Sequence, residues 1–244
     1  MPQDIALKAA VRILLSGYKE KIANFSYNDF LKTGVDPFRF KMNCSIFGLK
    51  NSIRKEIEHK LEMALENLIG DFHENYLGNC IHLPSNSKWE KVPNGVLPGV
   101  DIKNSKLNCF LQIKSKHNSM NSSSSAKLAE QIKELIKRDP GINAGCAWII
   151  AWKDKNCIGE KEVKKVGIAL KGKSSYAYVT GNDKEMDEVL AALPTTINKI
   201  KSELGIDVEG LIDKATNRIL EDLTREAKRS GIDVETLIYK LSVD

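Results

Sequence analysis

The amino-acid sequence predicts an α/β fold in which helices flank a mixed central sheet. The run from Cys146 to Trp152 is apolar at nearly every position, which is typical of a strand that is buried on both faces of a sheet. Apolar residues recur at helical spacing over residues 52–68 and 128–136, which predicts amphipathic helices. The order helix, hairpin, helix, strand, strand then gives a mixed sheet with helices around it.

The remaining elements are placed by turn-forming residues and by short apolar runs. Residues 5–32 predict helix, whereas residues 33–50, which contain Gly34, Pro37 and Gly48, predict an irregular connection. Residues 82–100 are rich in proline, asparagine and glycine and predict a loop that leads into a hairpin. Short strands are predicted near residues 99–103, 108–115, 166–170 and 176–180.

The C-terminal part of the chain is predicted to be helical. The segment Gly-Ile-Asp-Val-Glu occurs twice, and its aspartates, Asp207 and Asp233, are the predicted N-caps of two helices. We therefore expect residues 1–182 to carry the sheet and the N-terminal helices. Residues 183–244 are expected to form a helical region packed on the same domain.

Composition favours a cytoplasmic protein without membrane association. Hydrophobic residues make up 42% of the 244 residues and charged residues 28%, which is ordinary for a globular domain. No apolar run approaches the roughly 18 residues of a membrane span, and no basic segment precedes an apolar one at the N-terminus, so no secretory signal is expected. Five cysteines without CxxC spacing argue against a disulfide framework or a zinc site. The net charge of +5 permits a polyanionic ligand without requiring one.

The most informative stretch is the predicted hairpin. A Pro-Gly turn precedes Asp101, and after ten intervening residues the chain reads Gln112-Ile113-Lys114. Because side chains alternate along a strand, Gln112 and Lys114 project to one side, where they can meet Asp101, and Ile113 projects to the other. The oxygens of Asp101 and Gln112 suit Mg²⁺. The cation would acidify a bound water, and Lys114 would orient or deprotonate that water or stabilise the charge of the transition state.

This pattern resembles the PD-(D/E)xK nuclease superfamily, with Asp101 as its first acidic residue and Gln112-Ile113-Lys114 in the place of (D/E)xK. The glutamine departs from the pattern, because an amide oxygen can ligate a metal but brings no charge. The longer string from Gln112 to Ser123 resembles type II restriction endonucleases that recognise GGNCC or GGWCC sites, and residues 176–182 resemble their final core strand.

The resemblance extends over residues 50–182 and implies a restriction-endonuclease-like core with additional N- and C-terminal helices. It also implies a Mg²⁺-dependent homodimer that cleaves double-stranded DNA at one sequence and leaves 5′-phosphate ends. The spacing of Asp101, Gln112 and Lys114 taken alone favours a solvated edge hairpin over a metal site, and the longer string with the helix that follows it reverses that preference.

A further carboxylate is expected from the helix that precedes the hairpin. Glu58, Glu62 and Glu66 stand at i, i+4 spacing along its apolar stripe, with Glu62 as the first choice and Glu66 as the second. The alternative is that all three form solvated ion pairs with neighbouring lysines.

Polar residues after the hairpin are candidate DNA contacts. A helix start near the serines that follow would place free backbone N–H groups at the end of the metal-binding strand, where a phosphate can bind. The surrounding lysines suit phosphate contacts. The residues expected to touch DNA are Lys116, His117, Asn118, Asn121 and Ser122.

Three other functions remain open from the sequence. One is a repair or recombination nuclease that recognises DNA structure. Another is a DNA-binding module whose catalytic site has decayed, with Gln112 as the first sign, although the retained Asp101 and Lys114 argue against decay. The third is a helical interaction protein. The C-terminal helices could serve dimerisation, DNA contact or plain packing.

Overall fold

The computed structural model describes residues 3–32, 34–93, 95–116, 121–151 and 156–243, without the side chain of Ser122. In chain order the helices of the described residues are α1 Asp4–Ala23, α2 Tyr27–Lys32, α3 Pro37–Phe47, α4 Leu49–Leu77, α5 Ser122–Arg138, α6 Glu160–Lys164, α7 Lys173–Thr180, α8 Glu185–Glu203, α9 Val208–Arg229 and α10 Val234–Val243. The strands are β1 Ile81–His82, β2 Ser87–Lys88, β3 Glu90–Lys91, β4 Ile102–Asn104, β5 Cys109–Lys116, β6 Asn143–Ile150 and β7 Ile168–Lys171.

The chain divides into two compact units. Unit 1 consists of residues 1–14 and 69–200, and unit 2 consists of residues 15–68 and 201–244. The sequence places a boundary near residue 182, whereas the last break of this division lies after Ile200.

Unit 1 contains a mixed five-stranded sheet with the strand order β3-β4-β5-β6-β7. Strands β3, β4 and β5 pair antiparallel, and β5, β6 and β7 pair parallel, so Lys114 of β5 lies opposite Trp148 of β6. The helix α5 packs Leu128 and Ile132 against β6, in a cluster that includes Trp148. The predicted α/β fold with a mixed, helix-flanked sheet is therefore confirmed. Trp152 lies outside the described residues.

The predicted strand at residues 176–180 is wrong, because these residues belong to the helix α7. Tyr176, Val179 and Thr180 are buried at i, i+3 and i+4, which is the spacing of one helix face. Gly181 ends the helix in the left-handed conformation at φ 71°, as a helix-terminating glycine commonly does. Aromatic and β-branched residues favoured a strand, but packing of one helical face overrides that local preference. The assignment of residues 176–182 to a final core strand is therefore wrong as well.

The predicted irregular connection over residues 33–50 is also wrong, because it contains the helix α3. Asp36 is the N-cap, and its Oδ1 accepts hydrogen bonds from the backbone N–H groups of Phe38 and Arg39 at 3.0 and 3.1 Å. Pro37 occupies the first turn, where its missing N–H costs nothing. Pro37, which the sequence pattern assigns to an irregular connection, thus marks a helix start.

Unit 2 is a helical unit whose core is formed by residues of the end of α1 and of α2, α3, α4, α9 and α10, among them Phe30, Phe40 and Ile57. Asp207 caps α9 by accepting a hydrogen bond from the Gly210 N–H at 3.0 Å. Asp233 accepts one from the Thr236 N–H at 2.8 Å at the start of α10, so both predicted N-caps are confirmed. None of the helices in the described part of the chain is long and apolar enough to cross a membrane.

Candidate active site

Asp101 is held on one side by the backbone of β5 and on the other by the backbone just after β3. Its N–H donates to the Leu111 carbonyl at 2.9 Å, and its own carbonyl accepts from the Val92 N–H at 2.8 Å. Its Oδ2 accepts a hydrogen bond from the backbone N–H of Ile113 at 2.7 Å. The Asp101 carboxylate is thereby fixed beside the backbone that connects Gln112 to Lys114.

The strand β5 has the two faces that its sequence predicts. Cys109, Leu111 and Ile113 are buried, whereas Gln112 and Lys114 are partly exposed. The buried face joins the sheet to its core, and the partly exposed face carries the Gln112 amide and the Lys114 ammonium group. The alternation predicted for this strand is confirmed.

The pKa of the Asp101 carboxyl is shifted by burial and by its charged neighbours. Burial raises the pKa of the Asp101 carboxyl, while the hydrogen bond from Ile113 and the positive charges of Lys114 and Lys91 oppose that rise. Lys114 therefore lies within electrostatic reach of the carboxylate. The site holds a half-buried acid whose charge is only partly compensated by the protein.

A second carboxylate comes from Glu74 on α4. Burial raises the pKa of Glu74, and the charge of Asp101 raises it further, while Lys91 lowers it with its Nζ at 3.3 Å from Glu74 Oε2. A buried carboxylate whose proton affinity is raised by a second carboxylate is typical of a cation site, because a bound cation relieves the repulsion.

Glu74 is on the helix that the sequence predicted to supply a carboxylate, but further along it. Glu62 and Glu66 are exposed, and Glu58 pairs with Arg54 at 2.8 Å. All three belong to unit 2, whereas Glu74 shares unit 1 with Asp101. The signal that points to Glu74 is the apolar stripe, which continues past Gly70 through Phe72 and Tyr76.

Close packing brings the end of α4 against the sheet. A Cβ atom added at Gly78 would lie 2.8 Å from the Glu74 carbonyl oxygen, 3.0 Å from the Lys91 backbone nitrogen and 3.1 Å from the Ile102 Cγ2, so only glycine permits this approach. On the same turn, buried His73 pairs with the Tyr176 hydroxyl at 2.9 Å, and the Tyr76 hydroxyl donates to Glu185. Burial lowers the pKa of His73 to about 4, so this residue is neutral at pH 7 and takes part as a hydrogen-bonding group. These contacts fix the turn that carries Glu74.

The helix α5 begins as predicted, close in sequence to the end of β5. Its N-cap is Asn121 rather than a serine: Asn121 Oδ1 accepts from the Ser124 N–H at 2.9 Å, and the Asn121 N–H donates to Ser124 Oγ at 3.0 Å. Lys116 is partly exposed at the last position of β5. His117 and Asn118 lie outside the described residues, as does the side chain of Ser122.

The donor atoms near Asp101 fit a magnesium ion. Within the described ranges no three histidine, cysteine, aspartate or glutamate side chains converge to form a metal cluster. The oxygens present are two carboxylates, Asp101 and Glu74, and the amide of Gln112. Mg²⁺ is usually bound by one or two carboxylates and completes its shell with water and substrate phosphate.

A family model identifies the chain. The model of the Eco47II restriction endonuclease family matches residues 3–202, which contain α4, the hairpin and α5. The chain belongs to this family. The Eco47II family member is also 22% identical over 245 positions to the type II restriction enzyme Sau96I of Staphylococcus aureus, an alignment that covers 90% of each chain.

Membership in the Eco47II family shows that the chain is a type II restriction endonuclease, a site-specific deoxyribonuclease. The function predicted from the residue pattern and from its resemblance is confirmed at this level. The matched region includes Asp101, Gln112, Lys114 and Glu74.

Proposed function

We propose that this restriction enzyme is a Mg²⁺-dependent homodimer whose catalytic centre is the β4–β5 hairpin with the end of α4. The observation that carries the proposal is the Asp101 carboxylate, held by the Ile113 N–H between Gln112 and Lys114 and electrostatically coupled to Glu74. A carboxylate pair with a lysine nearby provides the groups that phosphodiester hydrolysis needs.

Each residue of the centre has a role that follows from its atoms. Asp101 and Gln112 would hold Mg²⁺ through oxygen, and Glu74 would add a second negative charge. When bound, Mg²⁺ lowers the pKa of a water molecule and neutralises charge on the phosphate. Lys114, which lies within electrostatic reach of Asp101, would orient the attacking water or stabilise the charge of the transition state. Lys116 at the strand end would contact phosphate.

The protein's charges also support cation binding in a second way. Burial raises the pKa values of both Asp101 and Glu74, so each carboxylate gains from a nearby positive charge. The neutral amide of Gln112 limits the total negative charge to two carboxylates. We therefore expect a weaker hold on the metal than a third carboxylate would provide.

The recognition sequence and the oligomer are parts of the proposal that come from the resemblance. A site of GGNCC or GGWCC type is palindromic about its centre, and a two-fold symmetric dimer then presents one centre to each strand. His117, Asn118, Asn121 and Ser122 stay predicted DNA contacts. Glu62 also stays a predicted site residue.

The test is digestion of phage DNA by the purified full-length protein with Mg²⁺, beside the Asp101→Ala variant. Discrete fragments that disappear with chelator and in the variant are expected, and sequencing of their ends would give the recognition site, the stagger and the 5′-phosphate. Intact DNA from folded protein that still binds a duplex would contradict the proposal and favour a decayed DNA-binding module.

A further inference from the structure

The helices α3 and α10 of unit 2 present an apolar surface that the enzyme's own core does not use. Phe38, Met42 and Ile46 stand at i, i+4 and i+8 on α3 and are 80%, 62% and 69% exposed. Tyr239 on α10 is 53% exposed. These four residues are called the α3–α10 surface below. On the opposite faces of the same helices, Phe40, Leu237 and Ile238 are buried in the core of unit 2.

A groove runs between the two helices and joins their exposed side chains. Its volume is about 390 Å³, and its walls include Phe38, Met42 and Tyr239. Lys41 and Glu235 also line it, and they form an ion pair with each other. The surface therefore offers projecting apolar side chains and a recess that can receive such a side chain from another molecule. The charged groups in the recess, Lys41 and Glu235, already compensate each other.

The structure assigns the α3–α10 surface to contact with the same surface of a second copy of this chain. A two-fold interface uses the same patch on both subunits, so each patch must supply both the projections and the recess. This surface meets that requirement, because Phe38 and Tyr239 adjoin the groove on every copy. The assignment rests on the homodimer of the proposed function and adds the location of its interface.

The exposed area suits a dimer. A large side chain presents about 200 Å² when fully exposed, so the exposures of the four residues amount to roughly 500 Å² of mostly apolar surface. A stable interface buries about 800 Å² per partner, with an apolar centre and a polar rim. The α3–α10 surface would supply most of such a centre, within which Lys41 and Glu235 compensate each other.

DNA is a poorer occupant of this surface. Surfaces that bind DNA are polar and strongly positive, because they neutralise phosphates. The α3–α10 groove is lined mainly by apolar side chains, and its lysine is paired with a glutamate. Burial of exposed phenylalanine, methionine and isoleucine is instead the common driving force of association between protein subunits.

The experiment is sedimentation velocity of the full-length protein over a concentration series, with Phe38→Glu and Ile46→Glu as separate variants. Both positions are exposed in the single chain, so the substitutions should leave the melting temperature near that of the wild type. Leu190→Glu is the matched control, because Leu190 is 57% exposed on α8 in unit 1. We expect a wild-type dimer, an unchanged dimer in the control, and dimer dissociation constants at least tenfold higher in both variants.

The outcomes separate this inference from the proposed function. A wild type that is monomeric both free and on cognate DNA, or variants that dimerise as the wild type does, would overturn the interface, whatever the cleavage assay shows. Variants that lose DNA binding but keep the dimer would reassign the surface to DNA and overturn it too. Conversely, a dimer that the variants disrupt but that does not cut DNA would uphold the interface and refute the proposed catalytic function. If Phe38→Glu unfolds, Ile46→Glu decides.

Discussion

Gly78 offers the sharpest test of how packing positions the proposed catalytic centre. An added Cβ would be 2.8 Å from the Glu74 carbonyl oxygen, 3.0 Å from the Lys91 nitrogen and 3.1 Å from Ile102 Cγ2. Ordinary contact between carbon atoms begins at about 3.5 Å, so Gly78→Ala must shift the last turn of α4 by roughly 0.4 Å, both relative to β3 and β4 and at the Glu74 carbonyl. Glu74 is on the last turn of that helix and moves with it.

The expected size of the effect follows from that displacement. Overpacking lowers the free energy of unfolding by about 1–3 kcal/mol. Replacing glycine also reduces the flexibility of the unfolded chain, which raises the free energy of unfolding by about 0.4–1 kcal/mol. The net loss of about 1–2 kcal/mol should lower the melting temperature by roughly 2–8 °C for a chain of this size. If a displacement of 1 Å at a catalytic group costs about 10²-fold in rate, then 0.4 Å should lower kcat roughly 5- to 10-fold.

The assay is single-turnover cleavage of a cognate duplex at saturating enzyme, together with thermal melts. Gly70→Ala is the control on the same helix, because its Cβ would meet nothing closer than Ser115 Oγ at 3.9 Å. This control should keep its activity and gain up to about 1 kcal/mol of stability from the better helix former. If Gly78→Ala behaves like Gly70→Ala, the close approach of α4 does not position Glu74 and the reasoning fails.

Three other substitutions test the charges and the cap. Burial and the charge of Asp101 raise the pKa of the Glu74 carboxyl above 4.5. The folded protein therefore keeps Glu74 protonated to higher pH than the unfolded chain does. As a result, the free energy of unfolding of the metal-free protein falls as pH rises through the raised pKa. Glu74→Gln should therefore melt above wild type at neutral pH in chelator, with the gain vanishing near about pH 4; a gain that stays constant with pH would contradict this. Gln112→Glu adds a charged oxygen ligand and should lower the Mg²⁺ concentration for half-maximal cleavage at least about tenfold, and an unchanged titration would remove Gln112 from the metal shell. Asn121→Ala should cost about 1 kcal/mol in urea unfolding by removing the cap of α5, and no loss would mean that the cap is not formed in solution.

Local sequence rules were sufficient for the hairpin that carries the site. Strand periodicity and the spacing after Asp101 predict which side chains of β5 face it, and the structure adds the hydrogen bond from Ile113 to Asp101. Those rules act over a few residues, so they need no knowledge of the rest of the fold. The predicted caps Asp207 and Asp233 succeeded for the same reason.

Glu74 could not be chosen from the sequence because its place depends on contacts far along the chain. The helix α4 has 29 residues, and no local feature tells which of its turns meets the sheet. The turn that meets the sheet is determined by the close approach of Gly78 to Lys91 and Ile102, and by the hydrogen bond from Tyr76 to Glu185. The helix α7 was missed for a related reason, since burial of one face outweighs the strand preference of its aromatic residues.

Cleavage and DNA binding by Asp101→Asn, measured on one cognate duplex, test most directly whether this hairpin is the catalytic centre. The substitution keeps the size of the side chain and an oxygen that can accept from the Ile113 N–H, so the hairpin should stay folded. We expect binding within about threefold of wild type, because phosphate contacts supply most of the affinity, and a cleavage rate at least about 10²-fold lower. A variant that binds and cuts like the wild type would show that the catalytic centre lies elsewhere in the chain.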